Sequence, residues 1–105
     1  MYELCYSPNA VQDLDEIYDY IRNEVKNPAA AQKVVFNILD TIEKLRDFPK
    51  MGSSLESITG MESDYRYLVC DSYIAFYRID DTNVFIDRIL YARRDYIRVF
   101  FDTRD

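Results

Sequence analysis

A chain of 105 residues is the size of one domain and too short for two ordinary ones. Hydrophobic residues make up 49% of it, and with only 2 Gly and 3 Pro it is neither a linker nor a disordered segment. The net charge of −6, from 13 basic and 19 acidic residues, excludes binding to nucleic acid through the overall field. Any such contact would need a local basic patch.

The chain opens with Tyr2 to Tyr6, which alternates as a half-buried strand does, with Tyr2, Leu4 and Tyr6 on one face. Ser7-Pro8 then marks a helix start, since Ser caps free backbone N–H groups and Pro is tolerated in the first turn. Val11, Leu14, Ile17, Tyr18 and Ile21 follow at helical spacing. Asp13, Asp15, Glu16 and Asp19 fall on the other face and read as a solvated helix surface. Asn27-Pro28 repeats the start signal. A second helix is expected from about Ala29 to Arg46, with Ala31, Val34, Val35, Ile38, Ile42 and Leu45 as its apolar stripe. Phe48-Pro49 ends it. The short link between the helices predicts an antiparallel helical hairpin.

Residues 50–64 contain Gly52, Gly60 and several Ser with little periodicity, so a loop or loosely ordered segment is expected there. Three strand patterns follow: Tyr65 to Cys70, Tyr73 to Ile79 and Val84 to Tyr91. Asp71-Ser72 and Asp80-Asp81-Thr82-Asn83 supply the turns, which predicts an antiparallel meander. Ala92 to Phe101 is basic at first and aromatic at its end. The expected fold class is α+β in a single domain over 1–105: an N-terminal strand, a helical hairpin, then three strands, with the helices on one side of an antiparallel sheet.

The sequence has no His, so Ser-His and Cys-His catalytic pairs are excluded. Cys5 and Cys70 lie far apart without CxxC spacing; they read as small core residues, and neither a zinc site nor any other metal or cofactor is expected. No apolar run approaches the roughly 20 residues that span a bilayer, and no signal peptide is read at the start, so a cytoplasmic location is expected. The informative cluster is basic. Arg88 in the last strand is followed by Arg93, Arg94 and Arg98; Arg66 opens the meander; Lys44, Arg46 and Lys50 close the second helix. Arg and Lys can stabilise charge on an attacked phosphodiester, and Tyr96 could move a proton or stack on a base. Composition alone favours a plainer reading, in which the arginines pair with Asp87, Asp95 and Asp102.

Four stretches together resemble the RelE/ParE toxin superfamily: Asp13-Leu14-Asp15-Glu16-Ile17-Tyr18-Asp19-Tyr20-Ile21; Leu45-Arg46-Asp47-Phe48-Pro49-Lys50-Met51-Gly52; Tyr65-Arg66 leading into Tyr73-Ile74-Ala75-Phe76-Tyr77-Arg78-Ile79-Asp80; and Val84 to Leu90 running into Tyr91-Ala92-Arg93-Arg94-Asp95-Tyr96. The resemblance implies the toxin of a type II toxin–antitoxin module, which inhibits growth and is neutralised by a cognate antitoxin. RelE-like members cut mRNA in the ribosome; ParE-like members poison DNA gyrase. Arg66 and Arg94 match basic positions of the RelE-like set. Leu68, Ile74 and Phe100 depart from it, and only Tyr96 could supply the missing hydroxyl. The Tyr73–Arg78 and Pro49–Gly52 stretches look more like ParE, whereas Arg93-Arg94-Asp95-Tyr96 resembles the ending of many RNA-cutting members. The resemblance therefore points to the ParE-like branch, with gyrase as target and Arg93, Arg94 and Arg98 as contacts. The alternative it leaves is a ribosome-dependent endoribonuclease with Arg66, Arg94 and Tyr96 as catalytic residues.

Overall fold

A computed structural model describes residues 1–92. In chain order the elements are β1 (Glu3–Tyr6), α1 (Pro8–Asn23), α2 (Pro28–Glu43) closed by a 3-10 turn (Lys44–Arg46), β2 (Ser53–Ser54), α3 (Glu56–Thr59), β3 (Tyr65–Cys70), β4 (Tyr73–Asp80) and β5 (Asn83–Tyr91). The strands form one sheet in the order β1-β5-β4-β3-β2. The α+β class, the helical hairpin and the meander follow the sequence expectation.

Local chemistry sets the helix starts as expected. The Ser7 hydroxyl accepts from the Ala10 N–H at 3.0 Å, and the Asn27 side chain accepts from the Ala30 N–H at 3.1 Å. Each cap stabilises its helix by about 1 kcal/mol. The Ser7 hydroxyl also donates to the Asp87 carbonyl at 2.8 Å, so the same residue fastens the start of α1 to β5. Both hairpin turns place an Asp at positive φ, Asp71 and Asp81 each at 57°. Asp tolerates this region better than most residues, and it suits a two-residue hairpin.

Helices α1 and α2 cover one face of the sheet. Ala10, Ile38, Ile42, Leu45, Leu68, Ala75, Tyr77, Val84, Ile86 and Ile89 form the main core there. On the opposite face a smaller cluster gathers Leu55, Ile74 and Phe76, with Tyr67, Leu90 and Ala92 packed against it.

Four expectations change. The sheet is mixed rather than antiparallel, because β1 pairs parallel to β5, from Glu3 opposite Asn83 to Tyr6 opposite Ile86. Alternation within a strand reports its faces but not its neighbour. The 50–64 segment is not simply a loop: β2 pairs antiparallel with β3, and α3 makes one turn. Both are too short to show a period. Val11, read as part of the apolar stripe, is 47% exposed. Asp13, read as part of a solvated face, is 6% exposed. Among the described residues no helix is long and apolar enough to cross a membrane.

Candidate functional site

The position of Asp13 follows from the length of β1. That strand ends at Tyr6, yet β5 runs on to Tyr91, past a bulge opposite Phe76 and Tyr77. The edge of β5 beyond β1 would leave a buried N–H without a partner. Asp13 takes over that edge. Its carboxylate accepts the Ile89 N–H at 2.8 Å and a two-pronged contact from Arg88, Nε at 2.8 Å and Nη2 at 3.0 Å. One carboxylate thus joins α1 to β5 by three charge-assisted bonds. Arg88, read in the sequence as part of a basic cluster with neighbouring acids as partners, pairs with an acid 75 positions away; Asp95 and Asp102, two of those neighbours, lie outside the described residues.

A second network fastens the segment after the second helix. Arg66 on β3 is half-buried, and its Nη2 donates to the carbonyls of Lys50 at 3.1 Å and Gly52 at 2.7 Å. The Tyr77 hydroxyl donates to the Pro49 carbonyl at 2.7 Å and accepts from the Gly52 N–H at 3.1 Å. Gly52 is required by close approach: a Cβ there would sit 2.5 Å from the Tyr67 carbonyl and 2.6 Å from the Tyr77 hydroxyl. Held this way, the segment presents exposed Phe48, Lys50 and Met51. These, with Tyr2 and Pro49, line a shallow cavity of about 490 Å³. Arg46, from the basic end of the second helix, contacts Glu43 and donates to the Tyr2 carbonyl.

On the opposite face of the sheet, Tyr65, Arg78 and Asp87 meet. Arg78 lies 3.6 Å from the Asp87 carboxylate and 4.6 Å above the Phe85 ring. The hydrogen bond to Asp87 is the main reason the Tyr65 hydroxyl holds its proton above the ordinary range, with burial second. Burial raises Tyr77, opposed by the Gly52 N–H and Arg66. Burial, with Glu43 next, pushes Tyr6 up to about 12. It pushes the Cys70 thiol up to about 12 as well, with Asp71 adding to the effect. Raised values keep these groups neutral at pH 7 and make them poor bases. Both cysteines are free, and no group of three or more His, Cys, Asp or Glu is placed to hold a metal among the described residues.

The third feature is a groove of about 510 Å³ between α1 and the end of β5, lined by Ile17, Tyr20, Tyr73 and Tyr91 together with Glu16 and the Asp13–Arg88 pair. The Tyr73 and Tyr91 rings meet edge to face at 5.6 Å.

Residues 4–96 match the ParE toxin of type II toxin–antitoxin system, parDE, as a family. This chain belongs to the ParE toxin family. It is therefore a member of the RelE/ParE superfamily on the ParE-like branch, a type II toxin whose family implies a cognate antitoxin. The chain is similar to one in the chromosomal ParDE TA system from P. aeruginosa, at 25% identity and a TM-score of 0.73, covering 89% of this chain and 98% of that one. It also matches YafQ from E. coli strain BL21(DE3), at 14% identity and a TM-score of 0.49, over 96% of this chain and 99% of that chain. None of the curated proteins matches it.

Of the site residues expected from this ParE-family sequence, Arg66 alone lies among the described residues, while Arg93, Arg94, Tyr96 and Arg98 lie outside them. The structure adds residues the sequence reading did not single out: Asp13 as a buried joint, Gly52 and Tyr77 as a clasp, and Tyr20, Tyr73 and Tyr91 around one groove. Nothing in the sequence marked the first, since the helical pattern set Asp13 on the same face as Asp15, Glu16 and Asp19. For the other two nothing short of the strand register would have served.

Proposed function

We propose that this ParE-family toxin inhibits bacterial growth from the cytoplasm by binding DNA gyrase, and that its antitoxin neutralises it. In this reading Arg93, Arg94 and Arg98 contact the target. The observation that carries the choice of binding over RNA cleavage is Arg66. It is the one described cation of the expected catalytic set, and its guanidinium is engaged by the carbonyls of Lys50 and Gly52. A group so engaged is poorly placed to follow charge developing on a phosphodiester. The net charge of −6 also opposes entry into an RNA-lined site.

The test is to induce the chain alone in a bacterium while labelling new DNA and new protein separately, and to add the purified protein to a gyrase supercoiling reaction. DNA synthesis is expected to fall first, with filamentous cells and inhibited supercoiling. An early fall in protein synthesis, with transcripts cut within codons and cleavage abolished by Arg94→Ala, would overturn the gyrase reading. It would make Arg66, Arg94 and Tyr96 catalytic candidates. Growth without arrest would mean a chain that keeps the fold and has lost the toxic activity.

A further inference from the structure

Helix α2 buries Ala31, Ile38 and Ile42 against the rest of the domain. On its outward side Phe36 is 67% exposed and Leu39, three residues on, is 36% exposed. Lys33, Phe36 and Asp40 follow at spacings of three and four, so they share one outward face, and all three are exposed. A phenyl ring held in water by a helix is surface that a covering partner would stabilise.

The charges beside that ring say what the partner is. Lys33 and Asp40 stand two turns apart, about 10 Å along the axis, too far to pair with each other. Neither forms an ion pair with another described residue. The other charges of this face cancel locally. Glu24 and Lys26 offset each other before the helix, Lys44 and Asp47 do so after it, and Glu43 is taken by Arg46. Helix α1 runs beside α2, roughly 8–10 Å away between axes. Its outward charges, Asp15, Asp19 and Arg22, therefore lie to one side, about a screening length from Phe36. What remains is one cation and one anion, nearly evenly spaced on either side of Phe36. Such a face is its own complement when a second helix lies on it antiparallel, and it repels itself when the second helix is parallel.

We propose that the outward face of α2 takes a second copy of this chain in a two-fold symmetric dimer. The axis passes between Phe36 and Asn37, the two Phe36 rings pack beside it, and Lys33 of each copy meets Asp40 of the other. Both reciprocal pairs fall in register because 33 and 40 lie equally far from that axis. Antiparallel helix dipoles favour the same arrangement. One Phe and one Leu from each copy make a contact well below the standard interface size, so the dimer is weak, with half-association at roughly 100 μM. The inference stands apart from the choice of target, since it uses only the shape and charge of α2.

The test is sedimentation equilibrium of the full chain from about 5 μM to about 1 mM, at roughly 0.15 M salt to screen the net charge of −6. The parent should pass from monomer to dimer over that range. Phe36→Ser should weaken association more than tenfold. Lys33→Asp and Asp40→Lys each set like charges against each other twice, and each should weaken it about tenfold. Asp40→Lys also lowers the net negative charge, so a loss there cannot come from overall repulsion. The double variant, Lys33→Asp with Asp40→Lys, exchanges the two charges and should bring association back to within about threefold of the parent. All three positions are exposed on α2, so circular dichroism and Tm should report an unchanged fold. A chain that stays monomeric to 1 mM would overturn the proposal and leave the face to solvent or to another protein. A dimer indifferent to Phe36→Ser would place the contact elsewhere on the surface. A double variant no stronger than the single ones would refute the antiparallel register.

Discussion

Removing the Asp13 carboxylate tests whether one side chain can stand in for a missing strand. In Asp13→Ala the Ile89 N–H loses its acceptor at a buried position, which costs about 1–3 kcal/mol. Loss of the fork to Arg88 adds less. That guanidinium is 44% exposed and regains water, so about 0.5–1 kcal/mol is expected. The total, about 1.5–4 kcal/mol, corresponds to a fall in Tm of roughly 6–30 °C for a domain of this size. Asp13→Asn keeps one acceptor oxygen for Ile89 but loses the charge and sets an amide NH2 against an Arg88 donor, and should cost roughly 1–2 kcal/mol, less than the Ala variant at the Ile89 amide itself. Urea denaturation followed by circular dichroism measures both. Hydrogen exchange at the Ile89 amide gives the local readout, which should quicken strongly in the Ala variant and little in the Asn variant. If Asp13→Ala lay within about 0.5 kcal/mol of the parent, as an ordinary surface change does, the strand-replacement argument would be wrong. Equal losses in the two variants would place the stabilisation in the Arg88 charge pair instead.

Gly52→Ala forces a Cβ against the Tyr67 carbonyl and the Tyr77 ring, neither of which can retreat. A loss of about 2–3 kcal/mol is expected in the same denaturation assay. Tyr77→Phe keeps the ring and removes the hydroxyl that spans Pro49 and Gly52. It should cost about 1–2 kcal/mol, with faster exchange confined to residues 49–54, because the Gly52 N–H is left unsatisfied. Alkaline titration tests the buried thiol and phenol. Cys70 and Tyr6 are raised from 9.0 and 10.0 to about 12 each in the fold. The unfolded chain therefore releases these protons first. Their contribution to stability is complete below about pH 9 and is lost as pH climbs toward 12. Cys70→Ala should flatten the early part of that decline in urea midpoints measured from pH 8 to 11; an unchanged slope would mean the thiol is not held neutral.

Much of this protein was legible in the chain. Ser7-Pro8 and Asn27-Pro28 fix the helix starts through side-chain capping, a local event that needs no tertiary partner. Alternation from Tyr65 onward, interrupted at Asp71 and Asp81, gives the meander, because two-residue turns restrict the backbone strongly. The third-turn stripe of Ala31, Ile38, Ile42 and Leu45 gives the buried face of the second helix. What escaped was everything decided by neighbours distant in sequence. Nothing in Glu3–Tyr6 says that it lies parallel to β5, and without that pairing Asp13 cannot be told from Asp15 or Asp19. Arg66 reads as a free cation until its strand is set beside the Pro49–Gly52 segment, where two carbonyls claim it. Local sequence chose the elements because capping, turn geometry and side-chain period act within a few residues. The tertiary structure alone chose which charges are buried, paired or left open, because desolvation and hydrogen bonding depend on what the fold brings alongside.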